Sequence, residues 1–192
     1  FGFDSFKGNQ EAIISNVLEG HDSFVLMPTG GGKSICYQIP GLILEGLTVV
    51  ISPLIALMKD QVDQLNRRKI KATAIHSGMT RHEIDVCLNN CVFGDFKFLY
   101  VSPERLSTEL FLTRVRDMQV NLIAVDEAHC ISQWGYDFRP SYLEISSLRK
   151  VLDHVPLLAL TATATPEVCD DIQEQLAFRE KNLLKKSFDR EN

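Results

Sequence analysis

Short apolar runs rich in β-branched residues alternate with stretches of helical period along most of this 192-residue chain. Strands are predicted at residues 23–27, 48–52, 72–76, 97–101, 121–125 and 157–161. Most of these runs are continuously apolar, as in strands that are buried on both faces of a parallel sheet. Helices are predicted at residues 8–18, 33–44, 54–65, 81–92 and 141–152, and Thr165-Pro166-Glu167 signals the start of another. The alternation predicts one α/β domain with a mainly parallel sheet and helices on both faces, where ligands bind beyond the carboxyl ends of the strands.

Composition narrows the class of protein without identifying it. Hydrophobic residues make up 45% and charged residues 23% of the chain, so a packed core is expected. No apolar run approaches the roughly 18 residues of a membrane span, and the first residues do not resemble a signal peptide. We therefore expect a cytoplasmic protein with no membrane partner. The net charge of −5 gives no support for nucleic-acid binding, so evidence for a nucleic-acid partner must come from motifs.

The cysteines are odd in number and scattered, at Cys36, Cys87, Cys91, Cys130 and Cys169. Reduced thiols that pack as small hydrophobic side chains are expected, since a disulfide framework needs paired cysteines. Cys87 and Cys91 lie four residues apart and could hold a metal from one helical face. No second pair at zinc-ligand spacing accompanies them, so buried thiols are favoured.

A glycine-rich segment, MPTGGGKS at residues 27–34, follows the first predicted strand and opens a predicted helix. We call residues 27–34 the phosphate loop, because such loops turn backbone N–H groups and a helix N-terminus toward bound phosphates. Lys33 would reach the β- and γ-phosphates of ATP, and the Ser34 hydroxyl would hold Mg²⁺. Met27 stands where the full motif has its first glycine, so a plain glycine-rich turn is the alternative. The candidate nucleotide-binding residues of this loop are Thr29, Gly30, Gly31, Gly32, Lys33 and Ser34.

A second motif, Asp126-Glu127-Ala128-His129, directly follows the apolar run 121–125. A carboxylate at the carboxyl end of a strand, here Asp126, can hold the Mg²⁺ of a bound nucleotide. Glu127 could polarise the water that attacks the γ-phosphate. The alternative is a solvated turn with two acidic residues. Together with the phosphate loop, the motif predicts ATP binding and hydrolysis, with Lys33, Asp126 and Glu127 as catalytic residues.

These two motifs and Thr161-Ala162-Thr163 resemble those of superfamily 2 helicases, which usually lack the first glycine of the phosphate loop. Three longer segments narrow the resemblance to RecQ-family DNA helicases: MPTGGGKSICYQIP at 27–40, SPLIALMKDQVDQL at 52–65 and VDEAHCISQWGYDFRP at 125–140. The resemblance extends over the whole chain. It implies a RecA-like P-loop NTPase fold and an ATP-dependent enzyme that moves 3′ to 5′ on single-stranded DNA and unwinds duplexes. It also implies single-stranded and forked DNA as partners, and association with the nucleoid or nucleus.

The same resemblance assigns adenine recognition to a short motif near the N-terminus that contains Phe6, Lys7 and Gln10. A glutamine amide can both donate to and accept from the adenine edge. The family usually has Phe-Arg-Pro-Gly-Gln at this place, whereas this chain has FKGNQ at residues 6–10. Lysine cannot reproduce the planar stacking of arginine, which leaves the role of Lys7 open.

Residues 130–140, which we call the aromatic loop, resemble the family segment that senses single-stranded DNA. Its flat aromatic faces could stack on bases at about 1–3 kcal/mol per base without sequence preference. The family commonly has histidine where this chain has Tyr136, so the contact at that position is open. Serine-proline turns at Ser52 and Ser102 resemble motifs that grip DNA phosphates. The residues that the resemblance assigns to DNA binding or to coupling are Ser52, Ser102, His129, Gln133, Trp134, Phe138, Arg139, Thr161 and Thr163.

Helicases of this superfamily hydrolyse ATP between two RecA-like lobes, and the second lobe supplies arginine fingers. Residues 1–192 are expected to form the first lobe only, because the final residues, SFDREN at 187–192, resemble the junction where the second lobe begins. Two alternatives stay open at this point. One is an RNA helicase or a translocase that never separates strands, and the other is an ATP-binding module that does not hydrolyse.

Overall fold

Seven strands form one parallel sheet in this computed structural model, which describes Gly2 and residues 4–185. The strands are β1 (Ser23–Leu26), β2 (Leu47–Ile51), β3 (Ala72–Ile75), β4 (Phe98–Val101), β5 (Val120–Val125), β6 (Leu157–Thr161) and β7 (Leu183–Lys185). Their order across the sheet is β3-β4-β2-β5-β6-β1-β7, and all neighbouring strands in it pair in parallel. The strands that carry the phosphate loop and the acidic motif, β1 and β5, are therefore separated by β6 alone.

The connections between strands contain helices. They are α1 (Gln10–Leu18), α2 (Lys33–Ile43), α3 (Ile55–Arg67), α4 (Arg81–Phe93), α5 (Glu109–Val115), α6 (Ile145–Val151) and α7 (Pro166–Gln175). Short 3₁₀ turns lie at Pro103–Arg105, Ala128–Ile131 and Pro140–Glu144. None of the helices described between residues 4 and 185 combines the length and apolar character that crossing a membrane would require.

The core is divided into two layers by the sheet. Residues of α1, α2 and α3, such as Ile13, Cys36 and Met58, pack on one face. Residues of α4 to α7, such as Leu88 and Ile172, pack on the other. Successive residues of one strand face opposite layers, so both sets are apolar and the strands are continuously apolar. The predicted α/β class with helices on both faces is confirmed.

The predicted elements differ from the observed ones mainly at their ends. The first helix begins at Gln10 rather than at residue 8, because Gly8 has a positive φ of 55°. Residues 140–144 form a 3₁₀ turn before α6, where a single helix over 141–152 was expected. Helix α5 and strand β7 were not predicted, since both are short. The start of α7 is confirmed, with the Thr165 hydroxyl accepting from the Val168 N–H at 3.4 Å.

Candidate nucleotide and coupling site

The phosphate loop lies between the carboxyl end of β1 and the first residue of α2. The Gly31 N–H donates to the Pro28 carbonyl at 3.0 Å, which closes the loop as a tight turn. Gly32 has a φ of 80° and immediately precedes Lys33, the first residue of α2. This left-handed conformation explains why glycine is needed at that position. Thr29 and Gly30 are exposed at the tip.

Gln10 holds the phosphate loop from the side of α1. Its side-chain amide donates to the carbonyls of Gly31 at 3.3 Å and Gly32 at 3.2 Å, and its Oε1 accepts from the Lys7 N–H at 2.8 Å. A Cβ atom on Gly32 would lie 2.3 Å from the Gln10 amide nitrogen. The residue predicted to read adenine therefore also positions the loop that would bind phosphate.

A cleft of about 380 Å³ lies beside the loop and is bounded by α1, α2 and the chain before α1. The adenine-motif residues Phe6, Lys7 and Gln10 meet Gly30 and Gly32 there. The lining has apolar and polar parts, and Phe6 is 44% exposed. The structure thus brings the predicted adenine-binding residues and the phosphate loop together around one opening.

Asp126 follows the last residue of β5 and is fixed there by its neighbours. Its N–H donates to the Ile51 carbonyl at 2.9 Å, and its own carbonyl accepts from the Tyr142 hydroxyl at 2.8 Å. Burial, followed by the charge of Glu127, raises the pKa of Asp126 to about 6. The nearby Lys33 charge opposes this increase in the pKa. Tyr142 was not identified from the sequence, because nothing in its local pattern distinguishes it from a core tyrosine.

Ser34 and Asp126 line the same small cavity, together with the buried tyrosines Tyr37 and Tyr100 and with Ser52. A hydroxyl and a carboxylate are hard oxygen ligands of the kind that Mg²⁺ prefers. Burial disfavours the ionised form of Asp126, and a divalent cation beside the carboxylate would offset that cost, so such a cation fits this position. The two tyrosine hydroxyls lie 3.3 Å apart.

Glu127 adopts a left-handed backbone conformation, with φ 49° and ψ 46°. Such a conformation costs a non-glycine residue of the order of 1–3 kcal/mol and persists only where surrounding contacts impose it. It turns the chain sharply out of β5 into the 3₁₀ turn that carries His129. Glu127 Oε2 lies 3.3 Å from His129 Nδ1.

His129 connects three of the predicted motifs. Its Nδ1 lies 2.7 Å from the Thr161 hydroxyl oxygen at the end of β6, as well as close to Glu127. Its ring stacks on Tyr136 of the aromatic loop, with 4.8 Å between ring centroids and 17° between the planes. The Tyr136 hydroxyl accepts a hydrogen bond from the Thr163 hydroxyl at 3.4 Å. Burial lowers the pKa of His129, so the ring is neutral near pH 7.

The aromatic loop presents part of its predicted DNA-binding set to solvent. Gln133 is exposed, and Trp134 and Tyr136 are 79% and 75% exposed. Phe138 is half-buried. Arg139 pairs with Asp137 at 3.2 Å instead of pointing freely outward.

Ser52 and Ser102 lie at the carboxyl ends of β2 and β4 but have no exposed donor. Their N–H groups donate to the carbonyls of Val101 at 3.2 Å and Ile75 at 3.1 Å, as an extension of the sheet. Their hydroxyl oxygens are buried and have no hydrogen-bond partner among the described residues. Neither hydroxyl is presented to solvent, and the contact of these serines with DNA phosphates stays a prediction.

The five cysteines are all free, and four are buried, as expected for reduced thiols that pack in the core. Cys87 is partly buried.

The junction predicted at residues 187–192 lies outside the described residues.

Comparison with known proteins decides the family. The profile of the DEAD/DEAH box helicase family matches residues 7–172, which is most of the chain. The chain belongs to this family. The predicted resemblance to RecQ helicases is confirmed, since the chain is 50% identical to the ATP-dependent DNA helicase RecQ of Bacillus subtilis. It is 48% identical to the protein of the same name from Pasteurella multocida, and both alignments cover the whole chain.

The chain spans about a third of the length of these curated relatives, 33% and 30% respectively. Among solved structures, the Hef helicase domain of Pyrococcus furiosus superposes with a TM-score of 0.72. That superposition covers 96% of this chain and 38% of the other at 20% sequence identity. At this identity the likeness concerns the fold alone, and it supports the predicted RecA-like architecture.

Proposed function

We propose that residues 1–192 form the nucleotide-binding first motor lobe of an ATP-dependent DNA helicase. The lobe would couple ATP hydrolysis to 3′-to-5′ movement along single-stranded DNA and to unwinding of forked duplexes. The observation that carries this proposal is the position of His129. It contacts Glu127 of the predicted hydrolysis site, Thr161 of the predicted coupling motif and Tyr136 of the predicted DNA-sensing loop.

ATP would be bound along the edge formed by the carboxyl ends of β1, β6 and β5. The phosphate loop would surround the phosphates with backbone N–H groups, and Lys33 would reach the β- and γ-phosphates. Ser34 and Asp126 are the residues that would hold Mg²⁺, which neutralises negative charge on the phosphate oxygens when bound. Adenine would enter the cleft beside Phe6 and Gln10. The Gln10 amide must then exchange a loop carbonyl for the adenine edge or contact both.

Glu127 would orient the attacking water and accept its proton. His129 would hold the Glu127 carboxylate in place, because its Nδ1 lies 3.3 Å from Oε2. A base stacked on the exposed face of Tyr136 would act on His129 through the stacked rings, and Trp134 offers a second exposed face for a base. DNA binding at the aromatic loop would in this way change the position of the Glu127 carboxylate.

The first test is replacement of Lys33 by alanine in the complete enzyme. ATP turnover stimulated by single-stranded DNA should fall by at least about 100-fold, because a donor to the transferring phosphoryl group is lost. Lys150→Ala, at an exposed position of α6 outside the predicted motifs, is the matched control and should leave turnover unchanged. Retained turnover in Lys33→Ala would contradict the mechanism, and equal stimulation by RNA would favour an RNA helicase.

A second test concerns the lobe itself. The isolated 192-residue chain should bind a fluorescent ATP analogue in the presence of Mg²⁺, because both predicted motifs lie within it. Steady-state hydrolysis should stay near background with or without single-stranded DNA, since arginine fingers can be worth 10³–10⁵ in rate. Turnover stimulated by DNA in the isolated chain would contradict a division of the site between two lobes.

A further inference from the structure

Three different metal-ligating side chains converge between the acidic motif and the aromatic loop. They are His129, Cys130 and Asp137, and one ligand atom from each lies within 4.8 Å of the other two. His129 and Cys130 are buried, whereas the Asp137 side chain is 43% exposed. The cluster therefore has two buried ligands and a third at the surface.

Two of the three distances within the cluster match those between neighbouring zinc ligands, and the third, between ligand atoms of His129 and Asp137, is within 4.8 Å. Cys130 Sγ lies 3.7 Å from His129 Nε2 and 3.7 Å from Asp137 Oδ2. Bond lengths of about 2.0–2.3 Å and tetrahedral angles place neighbouring zinc ligands about 3.6 Å apart. An ion could thus enter between these atoms with only small movements of the side chains.

The orientation of His129 favours metal binding through Nε2. Its Nδ1 faces the Glu127 carboxylate at 3.3 Å and the Thr161 hydroxyl oxygen at 2.7 Å. A proton on Nδ1 can be donated there, which leaves the lone pair of Nε2 directed at the cysteine side. Histidines that bind metals are commonly held this way by a carboxylate on the other ring nitrogen.

We propose that His129, Cys130 and Asp137 form a binding site for Zn²⁺, with solvent as the fourth ligand on the side of Asp137. The thiol of Cys130 would release its proton to solvent as the Zn–S bond forms, so binding would weaken as the pH falls. A thiolate and an imidazole select a borderline metal such as zinc over Mg²⁺, which prefers oxygen ligands. This site is distinct from the Mg²⁺ position at Ser34 and Asp126.

Zinc at this site would restrain the aromatic loop. Asp137 now pairs with Arg139 at 3.2 Å, and a bound ion would compete for the same Oδ2 atom. The ion would also tie Asp137 to His129, which contacts Glu127. If the proposed function is correct, zinc would inhibit DNA-stimulated ATP turnover; this consequence rests on that function, whereas metal binding does not.

The test uses Co²⁺ as a spectroscopic substitute for zinc in the 192-residue chain, without nucleotide or DNA. Binding should produce the near-ultraviolet charge-transfer absorption of a thiolate bound to cobalt, and added Zn²⁺ should abolish it. Cys130→Ser should remove the band. Asp137→Asn should weaken cobalt binding by about tenfold or more, because one of three protein ligands is replaced.

Cys87→Ser is the matched control, since Cys87 is a partly buried thiol on α4 beside Cys91. This variant should bind cobalt like the unmodified chain. Loss of the band in Cys87→Ser, persistence in Cys130→Ser, or no band in the unmodified chain would each overturn the proposal. If far-ultraviolet circular dichroism shows that Cys130→Ser does not fold, Asp137→Asn becomes the deciding variant. An affinity of Asp137→Asn for cobalt equal to that of the unmodified chain would then overturn the proposal.

Discussion

The carboxyl group of Asp126, a predicted Mg²⁺ ligand, reduces the stability of the folded protein when it ionises. Burial and the neighbouring Glu127 charge raise its pKa from 3.8 to about 6. An acid whose pKa is raised on folding penalises the folded state once it ionises. The penalty is absent below about pH 4, grows between pH 4 and 6, and is complete above pH 6.

Asp126→Asn should therefore increase the free energy of unfolding by about 1–3 kcal/mol at pH 7.5 without nucleotide or Mg²⁺. The asparagine side-chain oxygen can still accept from the Glu127 N–H, as Asp126 Oδ1 does at 3.0 Å. Urea unfolding at pH 7.5 and pH 4 measures the effect, which should vanish at the lower pH. Asp63→Asn, at an exposed carboxylate on α3, should change little at either pH. An equal gain at both pH values would contradict the argument from ionisation.

At the scale of elements, the junction between the phosphate loop and α2 depends on two glycines with different surroundings. Gly30 and Gly32 have nearly equal φ values of 78° and 80°. A Cβ atom on Gly30 would meet open space, whereas one on Gly32 would lie 2.3 Å from the Gln10 amide. The two positions therefore separate backbone strain from a side-chain clash.

Gly30→Ala should cost about 1–2 kcal/mol of stability, the strain of a left-handed alanine. Gly32→Ala should cost more, because it must also displace the amide that holds the loop. Thermal unfolding of both variants, each with and without Gln10→Ala, measures the difference. The Gly32 and Gln10 substitutions should be non-additive, whereas those at Gly30 and Gln10 should be closer to additive. Equal losses of stability in Gly30→Ala and Gly32→Ala would show that the Gln10 side chain moves aside at no cost in free energy.

The sequence predicts those elements whose signal is local. Strands such as β6 are continuous apolar runs, and α7 has a proline and a capping threonine at its start. Helix α5 has seven residues and β7 has three, too few to show a periodic pattern. Strand β7 instead depends on pairing with β1, which is a tertiary contact.

The candidate site likewise contains residues that local sequence predicts and residues that only tertiary contacts reveal. Lys33 and Asp126 lie in contiguous motifs, so the sequence alone is enough to predict them as site residues. Tyr142 supports Asp126 from sixteen residues away, and Asp137 approaches Cys130 only because the aromatic loop folds back. The burial of Ser52 and Ser102 follows from the sheet order, which places β2 and β4 inside the sheet.

At the scale of the whole molecule, one buried carboxylate joins segments that are distant in sequence. Asp22, directly before β1, accepts from the Leu157 N–H at 3.0 Å, from Arg149 of α6 at 2.6 Å and from Arg179 before β7 at 3.0 Å. Burial alone would raise the pKa of Asp22, but the hydrogen bonds from Arg179 and Leu157 and the charge of Arg149 lower it overall. These contacts lie at the amino ends of the strands, opposite the phosphate loop, and fix the spacing of β1, β6 and β7.

Asp22→Asn should reduce the free energy of unfolding by about 3–5 kcal/mol at pH 7, because the buried Arg149 would be left without its counter-charge. Asp22 has a lowered pKa, so its contribution is complete above about pH 4 and is lost as the pH falls through the folded-state value. Urea unfolding from pH 7 to pH 3 should show the two proteins converging at the acidic end. Asp170→Asn provides a matched control, since its ion pair with Lys181 is exposed and should be worth at most about 1 kcal/mol. A similar small loss in Asp22→Asn would mean that the strand ends are held by packing rather than by this carboxylate.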